Sequence, residues 1–221
     1  MQKYFLSSAR LELCIEGFLD LTDNGYWDSA YTNGDFEHWE LNYPSPELVA
    51  IVAAGILRKN SRILDVGCGG GLDAIFLAHC GFNVMGVDFS SVALKIAERR
   101  AEKARVEVDW RLGNALDLPI EDETIDFVTD RGLFHVIEDD DRAKYSSELC
   151  RVLKLQGRAL IRGASLESAQ DRFNPVTEQA IEKYFSSNFE SSPVFPFPLF
   201  SIAGVMDGRL VVLKKVKRSQ N

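Results

Sequence analysis

From Ser61 onward the chain alternates short apolar runs with amphipathic ones. Apolar runs of four to eight residues predict strands near 62–66, 83–88, 106–111, 125–130, 158–163, 189–196 and 205–216. Between them, helical spacing predicts helices near 71–80, 91–104, 140–153 and 177–186. Strand–helix alternation implies a parallel sheet with helices on both faces. The runs ending at Val66 and Val87 are apolar on both sides, as strands covered on two faces must be. No helix separates the last two strands, only the turn signals Ala203-Gly204 and Asp207-Gly208, so they should pair antiparallel at the end of the sheet.

Upstream, Phe5, Leu6, Ala9, Leu13 and Phe18 have spacing compatible with a helix over Gln2 to Leu21. A turn-rich, aromatic-rich stretch follows from Thr22 to Pro46, with Tyr26, Trp27, Tyr31, Phe36, Trp39 and Tyr43. Ser45 as cap and Pro46 at the first helical position then start a helix running to about Leu57.

The junction of the first strand and the next helix carries the candidate chemistry. Ile63-Leu64-Asp65-Val66-Gly67-Cys68-Gly69-Gly70-Gly71 reads as a buried strand entering a glycine turn. Such a turn lets a ligand approach the backbone closely and offers it unpaired N–H groups. The acid at Asp65 suits a ligand bearing an amine and hydroxyls better than a phosphate, which points to S-adenosylmethionine. The dinucleotide spacing G-x-G-x-x-G fails at Leu72, which disfavours a nicotinamide-dependent dehydrogenase. The next strand ends at Asp88, about 23 residues after Asp65, where a carboxylate suits a ribose diol. Ser90 can cap the following helix while Asp88 stays free for a ligand. Asn114, after the third strand, has the donor and acceptor needed to read an adenine edge, or is simply a turn residue. Asp130-Arg131-Gly132 and Phe134-His135 close the fourth strand, over the crevice where sites of open α/β sheets gather. His135 is read equally as a structural residue or a general base.

The order and spacing of these segments resemble the class I S-adenosylmethionine-dependent methyltransferases, strongly over about residues 45–165. Gly71-Leu72-Asp73-Ala74, Asp130-Arg131-Gly132, Phe134-His135 and the Gly34-Asp35 … Trp39 … Pro44-Ser45-Pro46 run resemble the thiopurine and tellurite-resistance group within it. That group places its tryptophan closer to Gly-Asp than Trp39 lies here. The resemblance implies a Rossmann-like doubly wound α/β fold. Its seven-stranded sheet would be mostly parallel with an antiparallel terminal strand, helices on both faces and an N-terminal helical lid. The length of 221 residues suits one domain over 1–221, with helix and lid in 1–45 and the cofactor core in 46–221. Asp65, Gly67, Cys68 and Gly69 would surround the methionine end of S-adenosylmethionine. Asp88 would hold the ribose, Phe89, Asn114 and Ala115 the adenine, and Asp130 and Trp39 would complete the cofactor site. Arg131 and His135 are the candidate catalytic residues. The resemblance implies methyl transfer to a small molecule, with a thiol or other chalcogen favoured and O-, N- or C-methylation or cofactor binding without turnover as alternatives.

A formal net charge of -8 disfavours nucleic acid or an anionic membrane as partner. Four cysteines without a C-x-x-C pair suggest neither a zinc site nor a disulfide framework. The expectation is a cytoplasmic monomer or homodimer, without a signal peptide, membrane span or bound metal.

Overall fold

The computed structural model describes residues 24–169, 173–202 and 204–216. The helix expected over Gln2 to Leu21 lies outside these. Helices α1 (Asn24–Asn33) and α2 (Pro46–Ala53) precede the first strand. The core then runs β1 (Arg62–Val66), α3 (Leu72–His79), β2 (Asn83–Asp88), α4 (Ser91–Ala104), β3 (Asp109–Leu112) and β4 (Ile125–Arg131). It continues with α5 (Arg142–Val152), β5 (Leu153–Ala164), the single turn α6 (Leu166–Ala169) and α7 (Glu178–Phe185). The strands β6 (Phe189–Ser191), β7 (Phe195–Ser201) and β8 (Gly204–Lys215) complete it. Among the described residues no helix is long and apolar enough to cross a membrane.

The sheet order is β3-β2-β1-β4-β5-β8-β6, with β7 also on β8. β1 to β5 pair in parallel, and β8 runs antiparallel to β5, β6 and β7. The order reverses between β1 and β4, so the crevice for a ligand opens at the carboxyl ends of those strands. Alternation along each strand separates two cores. Leu64, Val66, Val87, Val128 and Ile161 pack with α5 and α7 through Tyr145, Leu149 and Phe185. Ile63, Val84, Phe127 and Leu160 pack with α2 and α3 through Leu48, Ala74 and Leu77.

Four expectations need correction. The sheet has eight strands, because the run expected at 189–196 splits at Ser192-Pro193-Val194 into β6 and β7 along one edge of β8. Within 22–46 the chain forms helix α1 and a 3₁₀ turn, Asp35–His38, held by aromatic contacts: Trp27 meets Trp39 at 5.5 Å and Tyr31 stacks on Phe36 at 5.3 Å. Helix α2 stops at Ala53, just ahead of Gly55 with its φ of 66°. β5 starts at Leu153, five residues early, because α5 passes directly into it.

Candidate active site

Gly67, Gly69 and Gly71 have φ of 65°, 52° and 78°, a left-handed series that glycine adopts at little cost. The unpaired N–H groups expected here are absent. Gly67 and Cys68 N–H donate to the Val87 carbonyl at 2.8 and 3.1 Å, and Gly71 N–H to the Cys68 carbonyl at 2.9 Å. Gly69 N–H donates to Asp88 Oδ2 at 2.8 Å and Gly70 N–H to Glu40 Oε1 at 2.9 Å. The turn folds back onto the end of β2, so its contribution is a bare surface rather than a set of free donors. A Cβ at Gly69 would stand 2.3 Å from the Tyr31 hydroxyl, and one at Gly67 would touch Leu133 at 3.2 Å.

Asp88 is buried and is not free in the sense expected, since its oxygens accept Gly69 N–H and, at 2.9 Å, Ser90 N–H. A carboxylate has about four lone-pair sites. Gly69 and Ser90 N–H each take one site and the Phe89 backbone N–H also bonds to the carboxylate, so the acceptor capacity left over suits a ligand hydroxyl. Burial raises the Asp88 pKa and the backbone N–H bonds from Ser90 and Gly69 oppose it. Ser90 caps α4, its Oγ accepting Ala93 N–H at 3.1 Å.

Asp65 is buried beneath the turn and accepts Ala74 N–H at 3.2 Å. Its pKa is raised by burial and by Asp73, while Arg162 pulls it down. Arg162, fully buried on β5, donates to Glu47, to Thr129 Oγ1 and to the Asp130 carbonyl, and lies 3.5 Å from Asp73. Asp73 also holds Ser45 through its N–H at 2.8 Å and its hydroxyl at 2.7 Å. Glu47 and Asp73 thus share one guanidinium with the Asp65 carboxyl close by, an acidic environment that suits a cationic ligand.

The end of β4 is tied into the structure. Asp130 is fully buried and accepts Leu133 N–H at 2.8 Å, Phe134 N–H at 3.1 Å and the Tyr145 hydroxyl at 2.7 Å. Burial lifts its pKa to about 6. Arg131 donates to the Trp39 carbonyl at 3.0 Å and to the Phe200 carbonyl, which fastens the α1 segment to the β7–β8 hairpin. His135 Nδ1 accepts Ala164 N–H at 2.7 Å and its ring stacks on Phe173 at 4.3 Å. Burial, with Arg142 and Arg131 adding to it, lowers its pKa to about 3. That is the environment of a packed, neutral imidazole.

The remaining candidates divide. Phe89 is half-buried directly after Asp88, and Ala115 packs against the α5-side core. Asn114 is exposed and its Oδ1 accepts Leu116 N–H at 2.8 Å. Cys68 is held as a thiol, its pKa raised by burial and by Asp88. Trp39 reaches the site through its neighbours, as a hydrogen-bond partner of Tyr31 and the backbone anchor of Arg131. The sequence reading missed Tyr31, Glu40, Arg100 and Arg162. Tyr31 was visible only as a member of the aromatic stretch, and Arg162 as a charge following the apolar run Leu160-Ile161 of a doubly covered strand.

A methyltransferase-domain model matches residues 63–157. Demethylmenaquinone methyltransferase of Lactiplantibacillus plantarum is 34% identical over 180 residues, covering 78% of this chain and 69% of that protein. The chain belongs to the class I S-adenosylmethionine-dependent methyltransferases. This methyltransferase is also 28% identical to EEF1A lysine methyltransferase 2 of Danio rerio, over 85% of its own length and 84% of the relative's. It spans only 39% of a matching ubiquinone biosynthesis O-methyltransferase from Xanthomonas campestris. A solved structure described under "Conversion of a Disulfide Bond into a Thioacetal Group during Echinomycin Biosynthesis" shares its fold, with a TM-score of 0.78 at 23% identity, over 89% and 94% of the two chains. The residues present are compatible with the methyltransferase cofactor: the Asp88 carboxylate would have acceptor capacity for a hydroxyl, and the acidic environment of Asp65, Asp73 and Glu47 would suit a cationic amino-acid end.

Proposed function

We propose that this methyltransferase acts on a small molecule whose nucleophile is a thiol or another chalcogen, as in the thiopurine and tellurite-resistance group its motifs resemble. The observation that carries the proposal is the commitment of every ionisable side chain at the end of β4. Asp130 is bound to Tyr145 and two backbone N–H groups, Arg131 to two carbonyls, and His135 to Ala164 N–H. A histidine with a pKa near 3 is a weak proton acceptor, far from the value that general-base catalysis favours at neutral pH. An acceptor that loses its proton to solvent, as a thiol does, needs no such base. Bound cofactor supplies an electrophilic sulfonium methyl. The protein then contributes position and exclusion of water. The cap formed by α1 and the 3₁₀ turn, with Trp39 at its end, provides the cover, and the β7–β8 hairpin meets it through Arg131.

A second reading is methylation of a lysine amine, favoured by the near full-length match to a lysine methyltransferase. Methylation of a hydroxyl with His135 as base has the least support. The proposal includes a monomer or homodimer in the cytoplasm, with neither nucleic acid nor membrane as partner. The test is formation of S-adenosylhomocysteine with a panel of a small thiol, selenide, a lysine peptide and a phenol. Turnover of thiol or selenide, retained in His135→Asn, supports the proposal. Turnover confined to the peptide or the phenol refutes it.

A further inference from the structure

Gly70 is the one residue of the glycine turn whose N–H and carbonyl are both held by side chains from elsewhere. Glu40 Oε1, from the segment after the cap's 3₁₀ turn, accepts its N–H at 2.9 Å. Arg100 Nη1, from the third turn of α4, donates to its carbonyl at 2.9 Å. The two side chains pair with each other at 2.8 Å, so the peptide groups flanking Gly70 sit inside a closed ring of charge-assisted bonds. Glu40 is buried, and Arg100 lies over the Phe36 ring at 5.8 Å. A Cβ on Gly70 would stand 1.9 Å from Arg100 Nη1 and 2.4 Å from Glu40 Oε1, so the absence of a side chain there makes room for the pair. The same Glu40 gives its carbonyl to Ile202 N–H at 3.1 Å, at the tip of the β7–β8 hairpin.

One residue therefore touches the cofactor turn, α4 and the hairpin, and lies two positions beyond the 3₁₀ turn that carries the cap's aromatic cluster. We propose that Glu40, with Arg100, is a positioning residue for the cofactor. The pair fixes the glycine turn in its binding shape only while the cap is docked, so cap closure and cofactor binding are coupled. The inference is independent of the acceptor's identity.

The test is titration calorimetry of S-adenosylhomocysteine into full-length wild type, Glu40→Ala, Arg100→Ala and the double variant, together with kinetics. Each single variant should bind at least tenfold more weakly. The double should bind no more than about threefold more weakly than the weaker single, because either loss opens the same ring. Glu40→Gln, which keeps an acceptor for Gly70 N–H, should recover part of the loss. In kinetics the cofactor KM should rise while the acceptor KM stays within twofold. Gly70→Ala provides a route that removes neither charge: its methyl displaces the pair, and its cofactor affinity should fall as in Glu40→Ala. Wild-type affinity in the single variants or in Gly70→Ala overturns the proposal. So do losses that multiply in the double variant, or a rise in acceptor KM equal to that for the cofactor.

Discussion

Replacing Arg162 by methionine should be among the most damaging single changes in the core. The guanidinium is fully buried and serves Glu47, Thr129 Oγ1, the Asp130 carbonyl and, more distantly, Asp73. Burial opposes its charge, and Asp73, Glu47 and Asp65 more than restore it. Methionine fills a similar volume but leaves those carboxylates without a counter-charge. Breaking a buried ion pair from one side costs about 3–5 kcal/mol. At about 2–4 °C per kcal/mol for a chain of this size, the midpoint should fall by roughly 10 °C. The loss should also depend on pH. Arg162 holds the Asp65 pKa down, so without it Asp65 takes up a proton more readily. A protonated acid needs no partner, so the gap between wild type and variant should narrow as pH falls from 7 toward 5. Urea denaturation followed by circular dichroism at both pH values reads the difference directly. A loss below 1 kcal/mol at pH 7, or a gap that widens on acidification, would mean that the guanidinium does not neutralise these carboxyl groups.

Three further outcomes follow from the end of β4. Burial raises the Asp130 pKa to about 6, so between about pH 4 and 6 the folded state binds a proton that the unfolded state has released. Its contribution should therefore fall as pH rises through that window, by at most about 3 kcal/mol, and Asp130→Asn should flatten the wild-type stability–pH curve there. His135→Ala should cost about 1–3 kcal/mol in denaturation by orphaning Ala164 N–H. His135→Asn, which offers an oxygen near Nδ1, should recover part of this and keep kcat within about threefold; a hundredfold loss of kcat would restore His135 as a base. Arg131→Met removes the link between the Trp39 and Phe200 carbonyls and should raise the acceptor KM at least fivefold. An unchanged KM would mean that cap and hairpin hold together without it.

The sheet core was readable because its signals are local. β1 and β2 were predicted at the residues observed, since apolar runs bounded by Ser61 and by the glycine turn leave little choice of register. Asp65, Asp88 and the glycines followed from position along those strands. Ser90 was legible as a cap for the same reason, its partner being three residues away. Helix α1 was not, because its aromatic and polar residues form no apolar stripe. It is held instead by the Trp27–Trp39 contact and by Asp28, which accepts the Ser90 hydroxyl at 2.5 Å from 62 positions upstream. Glu40 was invisible for the same reason, with Arg100 60 positions away. The state of His135 was equally hidden, because its burial and its Ala164 partner arise only when β4 and β5 pair.

On this proposal the ends of β1 and β2, with the glycine turn that leads from β1 into α3, hold S-adenosylmethionine through acidic side chains. Titration calorimetry of S-adenosylmethionine into the wild type and Asp88→Ala tests it most directly. The wild type should show one saturable site and the variant at least a tenfold weaker one, having lost the carboxylate that accepts Gly69 and Ser90 N–H and is proposed to accept ribose hydroxyls. A wild type that takes up no cofactor, or a variant that binds it equally well, would mean that the cofactor is not held at this carboxylate.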